Sequence, residues 1–308
     1  MTPSNRFKIA LFVLLQSLAA AAQAGDARGD LVVDAAWLAA HADDPNLVLL
    51  HVGDRGEYAK GHIRGARLVS LDDVSVSEHT RDGLMLEMPD ADALRARLEK
   101  LGISDASRIV VYYGNDWVSP ATRVVFALQY AGLGDRTTLL DGGMSAWVKQ
   151  GGALSKDVPE ARPGKLAALT IEPLIVDADY VREHRETPGI AIVDGRADAY
   201  YDGVETGGVH GQTDRTGHVA GARSIPFTEL TDDTLRLRPT AELKARFDAA
   251  GIAPGDTVVG YCHIGQQATA MLFAARLLGH PVRLYDGSFQ DWSRGKDNPV
   301  ETVARGRP

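Results

Sequence analysis

The chain has almost no cysteine: Cys262 is the only one among its 308 residues. A single cysteine cannot form an internal disulfide, so packing must stabilise the fold. A free thiol is either a small buried apolar side chain or a reactive group. Its position in the fold has to decide between these roles.

Long apolar runs are also missing. The most apolar stretch, residues 9–18, is shorter than the roughly 20 residues that span a bilayer. Two basic residues precede it and a small-residue sequence ending at Ala24 follows, which is typical of a secretory signal peptide. We therefore predict that residues 1–24 are a cleaved signal peptide, that the protein has no stable membrane anchor, and that it is periplasmic or secreted.

Basic residues are in deficit. Without residues 1–24 the chain has 31 basic and 41 acidic side chains, a net charge of −10. Such a surface repels phosphate backbones, so no nucleic-acid partner is expected. With 44% hydrophobic and 24% charged residues, the composition is that of a globular protein, and the length suits two domains.

What the sequence does contain is an internal repeat. GHIRGAR at 61–67 returns as GHVAGAR at 217–223. Further pairs follow in the same order: LVLLHVGDRGEY with GIAIVDGRADAY, LRARLEKLGISDASRIVVYYG with LKARFDAAGIAPGDTVVGYC, and TLLDGGMSAW with RLYDGSFQDW. Because the order is kept, the chain is interpreted as two copies of one domain. We predict an N-terminal domain at 25–153, a linker at 154–174 and a C-terminal domain at 175–300.

Each copy alternates two kinds of segment. Short β-branched runs such as RIVVYY and TVVGY alternate with segments such as ADALRARLEKLG and ATAMLFAARLLGH, whose apolar residues have helical spacing. This alternation predicts an α/β fold in which each domain is a mainly parallel sheet flanked by helices. Ligands are then expected at the carboxyl ends of the strands.

Cys262 lies at such an end. It directly follows TVVGY and precedes the loop HIGQQ, which leads into a helix near Ala268. Backbone N–H groups of a loop at a helix N-terminus favour anions and lower the pKa of a nearby thiol. Gly265 would let the loop curl inward without a side chain. The position therefore favours a reactive cysteine with a lowered pKa.

The repeated GH-x-x-GA and DG-x(4)-W motifs, with a C-x-x-G-x-x-A loop in the second half alone, resemble the two-domain rhodanese family. The resemblance extends over about residues 30–298. It implies a sulfurtransferase in which the Cys262 thiolate takes the outer sulfur of thiosulfate as a persulfide and passes it to cyanide, a thiol or a protein. It calls for neither cofactor nor metal.

The resemblance also implies a binding site for a small anionic sulfur donor. The residues expected to bind it are those of the loop, His263, Ile264, Gly265, Gln266, Gln267 and Ala268. Arg196 matches the arginine that contacts the substrate anion in the family; the alternative is an ordinary ion pair with Asp194 or Asp198. Arg55 is expected to be its counterpart in the first half.

The first half has no cysteine. Alignment of its central strand with the second half places Gly114 or Asn115 opposite Cys262, followed by Asp116. This half is therefore expected to be inactive, as in the family's two-domain members, and to form one wall of the cleft.

Several other residues invite functional interpretations. His62 and His218 occupy the same position of the repeated motif, one in each half, so a structural role is favoured over a metal site. Trp147 and Trp292 are expected in the cores of the two domains. Arg215 lies in an insertion, residues 202–217, and either reaches the site or is solvated.

The sequence leaves more than one candidate for the sulfur donor and for the class of activity. CHIGQQA has neither the basic residues typical of thiosulfate-using members nor the glycine and serine of mercaptopyruvate-using ones. Thiosulfate is expected, with 3-mercaptopyruvate as the alternative. A non-enzymatic sulfur carrier is a second alternative. A cysteine phosphatase would need arginine where Ala268 stands, and a redox sensor lacks a resolving cysteine.

Overall fold

The computed structural model describes residues 27–114, 117–160 and 162–303. The predicted signal peptide, Asn115 and Asp116 lie outside these residues. Within the described part of the chain, no helix has the length and apolar character needed to cross a membrane.

The first half is built on a five-stranded parallel sheet of order β1-β6-β5-β2-β4. A two-stranded antiparallel ribbon, β3-β7, lies beside it. Its elements are α1 (Ala27–Leu31), β1 (Val32–Val33), α2 (Ala35–His41), β2 (Leu47–Val52), α3 (Arg55–Lys60), β3 (His62–Ile63), β4 (Arg67–Val69), α4 (Ala91–Lys100), β5 (Arg108–Tyr113), α5 (Ser119–Tyr130), β6 (Thr137–Leu140), α6 (Gly143–Lys149) and β7 (Leu154–Ser155), with 3₁₀ turns at Leu71–Asp73 and Gly134–Arg136.

The second half repeats this order as β8-β13-β12-β9-β11, with the ribbon β10-β14. Its elements are β8 (Ile175–Val176), α7 (Ala178–His184), β9 (Ile190–Asp194), α8 (Asp198–Tyr201), β10 (His218–Val219), β11 (Arg223–Ser224), α9 (Thr240–Ala249), β12 (Thr257–Tyr261), α10 (Gln267–Leu277), β13 (Val282–Tyr285), α11 (Ser288–Trp292) and β14 (Val300–Glu301), with a 3₁₀ turn at Phe227–Glu229. The predicted fold class is confirmed.

The central strands, β5 and β12, are buried almost throughout because helices cover both faces of each sheet. Trp147 and Trp292 lie in the cores, as predicted, and their indole N–H groups donate to the carbonyls of Ala153 and Pro299 at 3.0 and 3.1 Å. The polar edge of each ring thus has a partner while its apolar body is buried.

The strand registers show which residues of the two halves are equivalent. Arg67 and Arg223, which end the repeated motif, pair with Leu50 and Val193. These two strand residues therefore occupy the same place in β2 and β9.

The pairing of residues between neighbouring strands also corrects the sequence alignment of the two central strands, β5 and β12. Leu50 pairs with Val111, and Val193 pairs with Gly260. Two residues beyond Val111 and Gly260 are Tyr113 and Cys262. Tyr113, not Gly114 or Asn115, therefore stands opposite the cysteine. The alignment was off by one because it matched the Val-Val pairs of the two strands, which lie one position apart in the sheets.

The halves pack through α5 and α10, the helices that follow the two central strands. The hydroxyls of Thr122 and Thr269 lie 3.0 Å apart and are buried between them. A single apolar cluster contains residues of both halves. Leu166, in the connection between them, is buried, and its N–H donates to the Glu99 carboxylate at 3.0 Å. This packing brings the end of β12 against the first half.

Candidate active site

Cys262 is the first residue after β12, and α10 begins at Gln267. Its N–H donates to the Ser288 hydroxyl at 3.2 Å and its carbonyl accepts from Phe289 N–H at 2.9 Å. The residue is fully buried. Strand, loop and helix therefore follow one another as predicted, and the backbone of the cysteine is fixed on both sides.

Backbone N–H groups surround the sulfur of Cys262. Those of Ala268, Ile264 and Gln267 hydrogen bond to it and favour the thiolate. Burial has the larger effect, however, and raises the pKa of the Cys262 thiol above its ordinary value. The prediction of a lowered pKa is therefore wrong in its net direction, because the sequence does not show that the sulfur is wholly removed from water. The three N–H groups can stabilise negative charge on the sulfur.

Gly265 allows the loop to turn towards the sulfur. Its φ is +80°, in the left-handed region, and a Cβ there would lie 3.2 Å from both the Asp286 carbonyl oxygen and Arg123 Nη1. A side chain at this position is thus opposed both by backbone strain and by the close approach of its neighbours.

Arg123, a residue of the first half, contacts the backbone of the cysteine loop at Gly265. It is fully buried and forms an ion pair with Asp286 at 3.0 Å. Its guanidinium also donates to the carbonyls of Gly265, at 3.3 Å, and Leu86. Asp286 in turn accepts from Met88 N–H at 2.6 Å. The half without a cysteine therefore helps to shape the cysteine loop, in keeping with the wall predicted for it.

Arg196 is buried next to the same loop. Its Nε and Nη2 donate to the Asp194 carboxylate at 3.0 and 2.6 Å, and Nη2 also donates to the Gly217 carbonyl at 2.7 Å. Although burial lowers it, the pKa of Arg196 is held above its ordinary value by Asp194. Its charge is felt at Cys262 and His263. The ion pair with Asp194, which was the alternative, is present, and Nη1 makes no hydrogen bond within the described residues.

Arg55 is not the counterpart of Arg196. Counting along the equivalent strands places Gly53 at that position. Arg55 is exposed and begins α3, as Asp198 begins α8.

His263 lines a small cavity beside the cysteine. Burial, and to a smaller extent the charge of Arg196, lowers the pKa of His263 to about 4, so its ring is neutral at pH 7 and gives an anionic donor no positive charge. Its ring meets the edge of Tyr200 at 4.6 Å between centroids. The cavity measures about 210 Å³ and is lined by Tyr200, Gly207, Gly208, Val209, Asp214, His263, Ile264 and Gln290.

The insertion at 202–217 forms a roof over this cavity. Asp214 N–H donates to the Gly207 carbonyl at 2.9 Å. Arg215 points away from the cavity, and its guanidinium donates to the carbonyls of Gly295 and Asn298 at 2.9 and 2.7 Å. Arg215 is therefore neither a site residue nor a solvated one, but ties the roof to the end of the domain.

The first half completes the roof. Gln290 accepts from Met85 N–H at 3.1 Å and donates to the Gly83 carbonyl at 2.8 Å. His210 Nε2 lies 3.1 Å from the sulfur of Met85. The first half thus packs against Gln290 and the insertion, whereas the residues that line the cavity all belong to the second half.

Gln266 and Gln267 lie at the entry to α10. The Gln266 amide donates to the Ser119 hydroxyl of the first half at 3.2 Å. Gln267 Oε1 is buried without a hydrogen-bond partner among the described residues. All the predicted loop residues are therefore brought together around Cys262, although the Gln266 side chain faces the other half.

The repeated histidines have structural roles, as expected. His62 Nδ1 lies 2.9 Å from the Tyr58 carbonyl oxygen and its ring stacks on Tyr58. His218 makes the same arrangement with Tyr201, at 2.7 Å.

Sequence reasoning missed Arg123, Asp286, Asp214 and Gln290. Asp286 could have been noticed, because it belongs to the repeated DG motif. Arg123 gave a weaker signal: in the repeated helix its place is taken by Ala270, so the two halves differ there.

A rhodanese-like domain model matches residues 34–150 and 177–295. The chain is 29% identical over 274 residues to a thiosulfate sulfurtransferase of Azotobacter vinelandii, covering 88% of this chain and 97% of the relative. It is 31% identical over 283 residues to a probable 3-mercaptopyruvate sulfurtransferase of Pseudomonas aeruginosa, covering 88% and 98%. The crystal structure of YnjE shares the fold, with a TM-score of 0.79, 24% identity, and coverage of 90% of this chain and 69% of that one.

Both matched segments fall on the two sheets described above, and the relatives are covered over nearly their whole length. The chain therefore belongs to the rhodanese-like family of sulfurtransferases.

Proposed function

We propose that the protein transfers a sulfane sulfur from thiosulfate to a thiophilic acceptor through a persulfide on Cys262. The observation that carries the proposal is the ring of three backbone N–H donors around the sulfur of a lone, buried cysteine. Such donors stabilise a sulfur anion without any proton transfer.

In the proposed first step the Cys262 thiolate attacks the outer sulfur of thiosulfate. A sulfur–sulfur bond forms on the enzyme, the sulfur–sulfur bond of the donor breaks, and sulfite leaves with the electron pair. In the second step the acceptor attacks the outer sulfur of the persulfide and regenerates the thiolate. Cyanide would leave as thiocyanate, and a thiol as its persulfide. The two steps predict ping-pong kinetics.

Because burial raises the pKa of Cys262, the free thiol keeps its proton at neutral pH. The proton must be lost before attack, and the three N–H groups lower the free energy of the anion that results. We propose that the donor enters through the 210 Å³ cavity, which His263 and Ile264 of the cysteine loop line. Closer to the sulfur of Cys262, Arg196 Nη1 would bind one of the donor's oxygens.

3-Mercaptopyruvate is a second candidate donor, because relatives of similar identity are named for each substrate. Attack on its sulfur would break a carbon–sulfur bond and release pyruvate. The same persulfide would form on Cys262.

Cys262→Ser tests the proposal. We expect the variant to fold and to lose transfer from both donors, because serine cannot form a persulfide. Steady-state rates with thiosulfate and with 3-mercaptopyruvate identify the donor, and intact-mass spectrometry should show an added 32 Da, about the mass of one sulfur, only on the parent. A donor-treated parent without added sulfur would refute the proposal.

Arg196→Lys tests the anion contact. Lysine keeps the charge opposite Asp194 but loses the planar fork, so we expect the KM for thiosulfate to rise about tenfold. Arg55→Lys is the matched control, because Arg55 is exposed in the other half. An unchanged KM in Arg196→Lys would remove Arg196 from the donor site.

We also propose that the protein acts outside the cytoplasm after removal of residues 1–24. The support is the charge and apolar pattern of that segment. N-terminal sequencing of the protein from its native cells should find Gly25 first; an intact Met1 would contradict export by this route.

A further inference from the structure

A second, larger cavity lies between the halves, far from the cysteine loop. It measures about 640 Å³, and its lining includes Arg108, Asp135, Arg136, Arg276, Gly279 and His280. Arg276, Gly279 and His280 belong to the C-terminal end of α10 and the turn after it, whereas the N-terminus of α10 forms the cysteine loop. An eleven-residue helix, about 16 Å long, separates the two sites.

Three arginines from different elements meet at this cavity. Arg108 begins β5, Arg136 ends the 3₁₀ turn before β6, and Arg276 lies in the last turn of α10. Within the described residues none of the three guanidinium groups has a hydrogen bond or an ion pair. Arg108 lies over the ring of Trp37, 4.9 Å from its centroid.

Arg276 is the most informative of the three. Its Nη1 is buried without a hydrogen-bond partner among the described residues, and burial lowers the pKa of the side chain, opposed by the charge of Asp135. A buried donor without a partner costs stability that an apolar side chain of similar size would not. By contrast, the buried arginines Arg123 and Arg196 have carboxylate partners at 3.0 and 2.6 Å. Arg276 Nη1 is thus available to donate a hydrogen bond to a bound ligand.

We infer that this cavity binds a small organic polyanion, a molecule with two or more carboxylate or phosphate groups. Guanidinium groups match both kinds of oxyanion in geometry as well as charge. Because the three arginines lie on separate elements, they can bind more than one anionic group of the same ligand. A volume of about 640 Å³ is that of a metabolite-sized site rather than of a single inorganic ion.

The inference does not depend on sulfur transfer, because no residue of the cysteine loop lines this cavity. The Cys262→Ser protein can therefore be used throughout. Isothermal titration calorimetry with citrate and with pyrophosphate distinguishes carboxylate from phosphate recognition, and acetate serves as the singly charged comparison.

We expect citrate or pyrophosphate to bind saturably at one site per chain, and acetate not to. Arg276→Gln and Arg136→Gln should each weaken binding at least tenfold. Arg95→Gln removes the same charge from an exposed ion pair on α4 and should leave binding unchanged. Absence of saturable binding by both probes, or equal binding by Arg276→Gln and its parent, would overturn the inference.

Thermal unfolding gives a second readout. Without ligand, Arg276→Gln should unfold at the same temperature as its parent or higher, since the substitution removes a buried N–H donor that has no hydrogen-bond partner among the described residues. With the better probe, only the parent should gain stability. A clear loss of stability in the ligand-free variant would make Arg276 a structural residue and would also overturn the inference.

Discussion

The two halves have the same strand order and the same repeated motifs, but they differ where the central strand ends. In the first half Tyr113 fills this place, and its hydroxyl donates to the Leu235 carbonyl at 2.6 Å and accepts from Gly142 N–H at 2.9 Å. In the second half Cys262 leaves the place open to a ring of N–H groups. One framework therefore holds a hydrogen-bonded tyrosine in one copy and a cysteine ringed by backbone N–H groups in the other.

Some of the hydrogen bonds between the two halves are equivalent in the two directions. Asp141 accepts from Leu237 N–H of the second half at 2.8 Å, and its equivalent Asp286 accepts from Met88 N–H of the first half at 2.6 Å. Arg123 breaks the symmetry. It lies on a helix of the copy without a cysteine but contacts the cysteine loop of the other copy. The copy without a cysteine thus contributes a buried side chain to the surroundings of the cysteine loop.

The largest effect is expected from Arg123→Met. Removal of the guanidinium leaves the Asp286 carboxylate buried without a cation, which costs about 3–5 kcal/mol. Urea unfolding of the folded variant measures the loss. Arg162→Met breaks an exposed pair with Glu160 and should cost less than about 1 kcal/mol. Similar losses in the two variants would show that the halves are not joined through this pair.

Gly265→Ala tests whether the shape of the cysteine loop affects the rate of persulfide formation independently of the stability of the fold. The left-handed backbone costs alanine about 1 kcal/mol, and the added Cβ also presses on Asp286, so the loop must shift away from the sulfur. We expect persulfide formation, followed by mass spectrometry, to slow at least tenfold. Gly255→Ala has the same strain at φ +88° but open space around it, and should keep the parent rate. Equal rates in both variants would mean that the loop tolerates displacement.

A pH-dependent effect concerns Glu87, whose Oε1 is buried without a hydrogen-bond partner in the described chain. Burial, followed by the charge of Asp286, raises the pKa of Glu87 to about 8. Between its ordinary pKa and 8 the folded state holds a proton that the unfolded chain has released, so stability falls as pH rises through this window. Glu87→Gln carries no such proton.

The stability difference between Glu87→Gln and the parent should therefore grow in favour of the variant from about pH 4.5 to pH 8 and then level off. Melting temperatures of both proteins at each pH give this difference, in which other titrating groups cancel. A difference that is constant with pH would contradict the position of Glu87 beside Asp286.

The repeat, the parallel strands and the position of Cys262 could be predicted because each depends on a local pattern. The equivalence of Tyr113 with Cys262 could not, because adjacent Val-Val pairs do not define register and a slip of one residue is invisible in sequence. Arg123 contacts residues more than 100 positions away, which no spacing indicates. The direction of the Cys262 pKa depends on burial, which is a property of the assembled halves.

The burial of Cys262 has a kinetic consequence. Because its sulfur has no accessible surface, a bulky reagent can reach it only while the residues that cover it are displaced. At high concentrations of such a reagent, labelling of Cys262 is then limited by the frequency of opening and becomes independent of reagent concentration. A small anionic donor is also larger than a water molecule, so the same opening must precede its contact with the sulfur.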